Sequence, residues 1–213
     1  MSSSCHKLHE LFNNIERIHF PYDEKSIFKN GVYILFENGE YAHGMDRIVR
    51  VGTHTGADQL QSRIKQHFLN KNKDRSIFRK NIGRAILYKD NDPFLKQWNW
   101  DLTTKKAKER YLPSLNVNKQ QYIETLVSDY IQKNFSFVVF NVKSKEERLG
   151  WEEKIISTIS LCNECRPSQN WLGLHSPKNK IQESGLWQVN GLYKESLTRS
   201  EITVLENLVK ATS

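Results

Sequence analysis

Four polar residues in three separated segments have side chains and positions suited to catalysis or metal binding. Tyr33 lies in a short run of β-branched and aromatic residues that predicts a strand. Arg63 and His67 are four residues apart and share one face of a predicted helix. Glu152 falls near the centre of an apolar helical stripe, where a carboxylate is costly unless it is paired or bound to a metal ion. Glu153 falls toward the edge of that stripe, so the helical pattern selects Glu152.

The stretch 31–68 predicts the strands and the helix that position Tyr33, Arg63 and His67. Apolar runs at 32–36 and 48–51 predict two strands, and Asn38-Gly39 and His43-Gly44 predict a turn region between them. A helix follows, with Leu60, Ile64 and Phe68 at spacing four. Asp58 is its predicted N-cap, with Gln61 completing a capping box.

These residues together resemble the GIY-YIG nuclease domain. Gly31-Val32-Tyr33 matches the first signature tripeptide, and Arg50-Val51-Gly52 lies where the second is expected, with Arg50 in place of its tyrosine. Leu60-x-x-Arg63-Ile64-x-x-His67 matches the helix that follows. Glu152-Glu153-Lys154-Ile155-Ile156 matches the later helix with a metal-binding glutamate, and Pro167-Ser168-Gln169-Asn170 matches a turn after it.

The resemblance implies an α+β fold, with a small three-stranded, mostly antiparallel sheet flanked by helices. We expect an N-terminal helix and linker over 1–30 and a nuclease core over 31–175, with an insertion at about 88–133. A C-terminal extension, 176–213, ends in a helix that Thr198 caps. The insertion contains Trp98 and Trp100 beside basic residues; these tryptophans either stack on bases or fill a small core, and the core reading is favoured.

The resemblance also implies a role for each site residue. Glu152 would hold one Mg2+ or Mn2+ ion, since such an ion keeps several waters and needs few protein ligands. Arg63 would clamp the scissile phosphate through its planar fork. Tyr33 would position or deprotonate the attacking water, supported by His67. Further residues are expected to support the site: Gly31, Gly52 and Asn170.

Each of these residues also has an ordinary structural interpretation. Glu152 could pair with an arginine or lysine, and Tyr33 could be a strand aromatic in the core. Arg63 and His67 could lie on the surface, so only their joint occurrence points to a site. Arg50 cannot replace a tyrosine hydroxyl in proton transfer, because a guanidinium stays charged. It either contacts phosphate or points outward, with His54 as the nearest substitute.

The chain is basic, and its positive charge is clustered. The formal net charge is +8 over 213 residues. Between residues 63 and 89 there are nine Lys or Arg and one acid, Asp74. Such an excess is either a solvated surface or a contact for an anionic partner, and the clustering favours DNA phosphates. The predicted DNA-binding residues are Arg50, Lys65, Lys71, Lys73, Arg75, Arg79, Lys80 and Arg84.

The remaining sequence features limit the class of protein. No apolar run is long enough to span a bilayer and no secretory signal precedes the first helix, so we expect a cytoplasmic protein without a membrane partner. Three cysteines argue against a disulfide framework. Cys162-x-x-Cys165 stands alone, because no second ligand pair occurs at diagnostic spacing, and the pattern favours a buried thiol over a zinc site.

The sequence therefore supports two functions. The first is a Mg2+-dependent DNA endonuclease that hydrolyses phosphodiester bonds and uses no nucleotide cofactor. The alternative is a catalytically inactive nucleic-acid-binding protein on a nuclease fold, motivated by Arg50. A homodimer would suit the first function, because one active centre cuts one strand.

Overall fold

The computed structural model describes residues 2–211, apart from the side chain of Ser2. The four strands of the described chain are β1 (Ile18–His19), β2 (Gly31–Ala42), β3 (Met45–Gly52) and β4 (Phe135–Asn141). They form one antiparallel sheet in the order β1-β4-β2-β3. The predicted three-stranded sheet is present, and the two-residue strand β1 is added at its edge.

Nine helices in the described part of the chain surround this sheet. Three short 3-10 helices, at Glu24–Ser26, Leu112–Ser114 and Leu172–His175, lie in the connections. The helices are α1 (Ser2–Asn13), α2 (Leu60–Phe68), α3 (Ile77–Lys89), α4 (Leu95–Trp98), α5 (Lys105–Tyr111), α6 (Val117–Asn134), α7 (Lys145–Ser160), α8 (Asn179–Ser184) and α9 (Arg199–Lys210).

Alternation along β2 divides the hydrophobic core into two layers. Val32, Ile34 and Phe36 face one layer, which also contains buried residues of α1, α7 and α9. Tyr33 and Leu35 face the other, which contains buried residues of α2, α3 and α6. Helices α2 and α7 therefore lie on opposite faces of the sheet. Strand β3 is one of the two edge strands of the sheet, so site residues from both faces can meet beside it.

Local capping signals were predicted correctly in some places and wrongly in others. Thr198 caps α9 in a full capping box with Glu201. Asp58 does not cap α2, because the N-cap is Gln59 and the Asp58 carboxylate accepts from Asn30 instead. Gln61 likewise donates to backbone carbonyls outside its helix. The N-terminal helix expected within 1–30 spans Ser2–Asn13, and Ile18, in the expected linker, belongs to β1.

The hairpin and the insertion also differ from expectation in detail. Strand β2 continues through Asn38-Gly39 with an irregular register, and the turn is made by His43-Gly44. In the insertion, Trp98 is fully buried and its Nε1 donates to the Lys80 carbonyl at 2.9 Å. Its ring occupies the space where a side chain at Gly83 would lie. Trp98 is therefore a core residue.

Within residues 2–211, no helix is both long and apolar enough to cross a bilayer.

Candidate active site

A cavity of ≈ 470 Å³ opens beside strand β3, where the two helical layers meet. Its charged lining comes from three separate elements: Arg50 on β3, Arg63 on α2, and Glu152 with Glu153 on α7. A segment from the C-terminal region, 188–191, closes another side. The cavity thus collects two adjacent carboxylates and two guanidinium groups from elements that lie far apart in the sequence.

Glu152 is the partly buried carboxylate of this cavity. Its Oε1 accepts a hydrogen bond from the Thr53 backbone N–H at 3.2 Å. Burial raises the pKa of Glu152, and the nearby charges of Arg50 and Arg63 oppose that shift. Glu153, the next residue, is exposed and pairs with Lys194. The buried residues of α7 are Arg148 and the continuous run 155–159, and Leu149 is 37 % exposed, so no single apolar stripe buries Glu152. Its contact with the Thr53 backbone distinguishes it from Glu153.

Arg50 on β3 occupies the position of the second signature tyrosine, and it lines the cavity. Its Nη1 donates to the Trp187 carbonyl, and its Nε lies 3.4 Å from the Tyr33 hydroxyl oxygen. Its guanidinium lies 5.2 Å from the centre of the Phe78 ring. The side chain is 5 % exposed, so Arg50 is a fixed cation at the cavity wall and does not point outward.

Arg63 reaches the same cavity from helix α2. Its Nη1 donates to Gln66 Oε1 and to the Arg75 carbonyl, both at 3.1 Å. A guanidinium carries five N–H donors, so these two bonds fix the side chain and leave donors for a ligand. The Arg75 carbonyl also connects the cavity to the basic loop between α2 and α3.

Tyr33 and His67 form a buried hydrogen-bonded chain behind Arg50. The Tyr33 hydroxyl lies 2.8 Å from His67 Nε2, and His67 Nδ1 lies 2.7 Å from Ser76 Oγ. Burial is the main cause of a His67 pKa well below its usual range, and three arginines add to it. His67 is therefore neutral, and one of its ring nitrogens donates and the other accepts in the contacts with the Tyr33 and Ser76 hydroxyls.

Neither ring of this chain is exposed to solvent, since Tyr33 and His67 both have 0 % exposure. The Tyr33 hydroxyl, expected to act on an attacking water, is therefore closed to solvent. The tyrosine instead contacts Arg50 from behind. Gly52 makes this arrangement possible, because a Cβ there would lie 2.1 Å from the Tyr33 hydroxyl oxygen. Gly31 is equally constrained, with the Phe140 carbonyl oxygen 2.2 Å from the position of its Cβ.

Two other expected site residues lie outside the cavity lining. His54 lines a smaller adjoining cavity with Arg63, and its Nδ1 donates to the Gly56 carbonyl at 2.7 Å. Burial lowers the pKa of His54. Asn170 is exposed in a turn that Ser168 fixes to Glu40, near the opposite end of the β2–β3 hairpin. The turn therefore braces the hairpin rather than orienting Glu152.

The predicted DNA-binding cations divide into exposed and buried groups. Lys65, Lys71 and Arg75 are exposed, and Arg84 is half-buried with its guanidinium on Asn81 and Asn99. Three others are buried in ion pairs, so phosphate cannot reach them in this structure. The pairs are Arg79 with Glu124 at 2.7 Å, and Lys73 and Lys80 with Asp74 at 2.8 and 3.0 Å. Burial of these three corrects the expectation drawn from charge clustering.

Sequence reasoning missed the contribution of the C-terminal segment to the cavity. Gln188 accepts from the Val51 backbone N–H at 3.0 Å, and Asn190 lies beside it in the lining. No spacing or composition signal marks these amides, because their position depends on how the segment after α8 folds back along β3. The amide groups add neutral polar atoms opposite Glu152.

The fold and the cavity define an α+β domain with two glutamates and two arginines collected at one edge of its sheet. The family model of the GIY-YIG domain matches residues 3–213, and the chain belongs to this nuclease family. The match includes the segments we expected to be an insertion and an extension. No curated protein and no solved structure matches the chain significantly.

Proposed function

We propose that this protein is a Mg2+- or Mn2+-dependent DNA endonuclease whose active centre is the cavity beside β3. The observation that carries the proposal is the meeting of Glu152, Arg50 and Arg63 in one cavity, although α2 and α7 lie on opposite faces of the sheet. Membership of a nuclease family supports the same reaction class.

Glu152 fits a hard divalent cation. Its carboxylate accepts one hydrogen bond among the described residues, so lone pairs remain for an ion. Mg2+ prefers oxygen ligands and keeps several waters, and the cavity of ≈ 470 Å³ has room for a hydrated ion and a phosphate group. When bound, the ion would supply charge stabilisation and a more acidic water.

Arg50 and Arg63 are the proposed phosphate ligands. Both guanidinium groups are held by backbone carbonyls, so they keep their position as negative charge develops on the phosphate. Tyr33 and His67 are positioning residues in this account. Their hydrogen-bonded chain ends on Arg50 Nε and favours one orientation of that side chain.

A path of exposed cations leads away from the cavity and is our proposed DNA contact. Arg63 contacts the Arg75 carbonyl, and Arg75 lines a second depression together with Lys71 and Lys108. All three cations of that depression are exposed. Their charge would meet successive phosphates of a strand whose scissile bond lies in the cavity.

One observation favours the alternative, a DNA-binding protein that does not cleave. Arg50 replaces a tyrosine and contacts the hydroxyl of Tyr33, so the Tyr33 hydroxyl is not open to a water from the cavity. Such a protein would keep the basic path and the arginine cavity. It would bind DNA with the same salt dependence and leave the phosphodiester bonds intact.

Cleavage of supercoiled plasmid with Mg2+ or with EDTA separates the two functions. We expect nicking or linearisation with Mg2+ and none with EDTA. Glu152→Gln should cut at least about 10²-fold more slowly, because metal and electrostatic terms supply several kcal/mol of barrier lowering. Glu153→Gln is the matched control on the same helix and should stay within about twofold of the original rate. Intact plasmid under every metal condition, with DNA binding retained, would favour the alternative.

A further inference from the structure

A second cluster of ligand-type side chains lies away from the cavity, under helix α1. Cys5 and His9 are one turn apart on α1, His43 is in the β2–β3 turn, and Cys165 follows α7. One ligand atom from each of these four residues lies within 4.8 Å of every other. Cys5 and His9 are fully buried, Cys165 is 2 % exposed, and the His43 side chain is 2 % exposed.

The distances in this cluster are those of a tetrahedral metal site. Bond lengths of about 2.3 Å to sulfur and about 2.0–2.1 Å to nitrogen place tetrahedral ligand atoms about 3.3–3.8 Å apart. The two sulfur atoms are 3.2 Å apart, and Cys165 Sγ lies 3.4 Å from His43 Nε2 and 3.7 Å from His9 Nε2. These three separations lie within a few tenths of an ångström of the tetrahedral values, and the other three pairs of ligand atoms lie within 4.8 Å.

Hydrogen bonds on the far side of both imidazoles orient them for ligation. His43 Nδ1 faces the Glu164 carboxylate at 3.2 Å, and His9 Nδ1 lies 2.9 Å from the Cys5 carbonyl oxygen. Each bond places the proton on Nδ1 and turns Nε2 toward the sulfurs, as in metal-bound histidines. His9 Nε2 also accepts the Ile48 N–H at 3.2 Å, a bond that metal ligation would replace.

We propose that Cys5, His9, His43 and Cys165 bind one structural Zn2+ ion. Two thiolates and two imidazoles are a donor set suited to zinc, and four protein ligands leave no open position for substrate. Binding releases the two thiol protons. The ion ties helix α1, the hairpin turn and the segment after α7 into one unit, independently of whether the cavity beside β3 cleaves DNA.

Metal analysis of the purified protein tests this proposal. We expect about one zinc per chain by mass spectrometry, and tetrahedral Co2+ bands in the visible spectrum after exchange. Cys165→Ser and His43→Ala should lose that zinc. Two neighbours serve as controls that should keep it: Cys162→Ser, whose sulfur lies 3.6 Å from His43 Nε2, and His6→Ala, an exposed ring stacked on His43.

A gentler variant keeps the test decisive if the ligand variants do not fold. Glu164→Gln leaves all four ligands in place and should weaken Zn2+ affinity about tenfold, with the circular dichroism spectrum unchanged. Chelation should lower the melting temperature of the original protein. Zinc-free protein that takes up no Zn2+ or Co2+ would overturn the proposal, as would a Cys5–Cys165 disulfide in that protein. Loss of zinc in Cys162→Ser with retention in His9→Ala would overturn the ligand set.

Discussion

Strand β3 carries two arginines three residues apart, and each lies beside a carboxylate in a very different way. Glu40 is 3 % exposed, and its oxygens accept from Arg47 Nε at 3.1 Å, from Arg47 Nη2, and from the Ser168 backbone and hydroxyl. Glu152, near Arg50, accepts one hydrogen bond within residues 2–211 and faces a cavity. The first carboxylate is saturated, and the second keeps capacity for a ligand.

This comparison shows that hydrogen-bond saturation, rather than residue type, separates a structural ion pair from a binding site. Arg79 also belongs to a structural ion pair, because it donates to Glu124 and Ser128 and has no exposed surface. A saturated buried pair mainly fixes how elements pack. An open carboxylate beside two fixed cations is costly to keep unless it serves a ligand.

The largest effect is expected from removing the most accessible cation of the open site. Arg63→Ala should slow single-turnover cleavage by about 10²- to 10³-fold, because a positioned donor to the developing charge is lost. The matched control is Lys65→Ala on the same helix, whose side chain pairs with Glu24 on the surface. Its rate should change by less than about twofold. Equal rates for the two variants would remove Arg63 from the site.

The pH dependence of cleavage distinguishes Glu152 from His67. Burial raises the pKa of Glu152 above its ordinary value of 4.5, and the carboxylate binds a cation only when ionised. The cleavage rate should therefore fall as pH decreases through a value above 4.5, with a raised midpoint. Burial keeps the pKa of His67 well below 6.5, so no step near that value is expected. A rate step near the ordinary histidine value that disappears in His67→Asn would contradict this assignment.

The smallest expected effect is a change in the salt dependence of DNA binding, which should differ between exposed and buried cations of the stretch 63–89. Arg75→Gln should reduce the slope of log affinity against log salt by about 0.9, the change expected for one lost phosphate contact. Lys80→Gln removes a cation that is buried against Asp74, and its slope should equal that of the original protein. The comparison is made by binding titrations below the melting temperature of both variants. Equal slopes for both variants would contradict the proposed path.

Much of the fold could be predicted because its signals are local. The apolar runs at 32–36 and 48–51, which lie in β2 and β3, and the Thr198 cap of α9 each depend on neighbouring residues. Glu152 is partly buried and Glu153 is exposed, as the helical pattern predicted, although the buried part of α7 is the continuous run 155–159 rather than one apolar stripe. The edge position of β3, which allows α2 and α7 to share a cavity, is a property of the sheet order.

The predictions that the structure corrected depend on contacts between residues far apart in the sequence. Arg79 was predicted to contact DNA because of the cations around it in the sequence. In the structure it pairs with Glu124, which lies 45 residues later. Cys162 is a buried free thiol, as expected, but the neighbours of Cys165 were not foreseen, because Cys5, His9 and His43 come from α1 and the hairpin turn rather than from a second motif. Asp58 lost its capping role to a pair of hydrogen bonds with Asn30. No periodicity or spacing rule could supply these contacts.

The free energy of unfolding of Glu40→Gln and Glu152→Gln, measured side by side in urea, tests the central comparison most directly. Glu40→Gln leaves Arg47 buried without its charge partner and should lose about 3–5 kcal/mol. The raised pKa of Glu152 means that the folded protein holds the proton more tightly than the unfolded chain, so ionisation at neutral pH destabilises the fold. Glu152→Gln should therefore be as stable as the original protein or more so. A loss of several kcal/mol in Glu152→Gln would show that this carboxylate is a structural partner and would contradict the account.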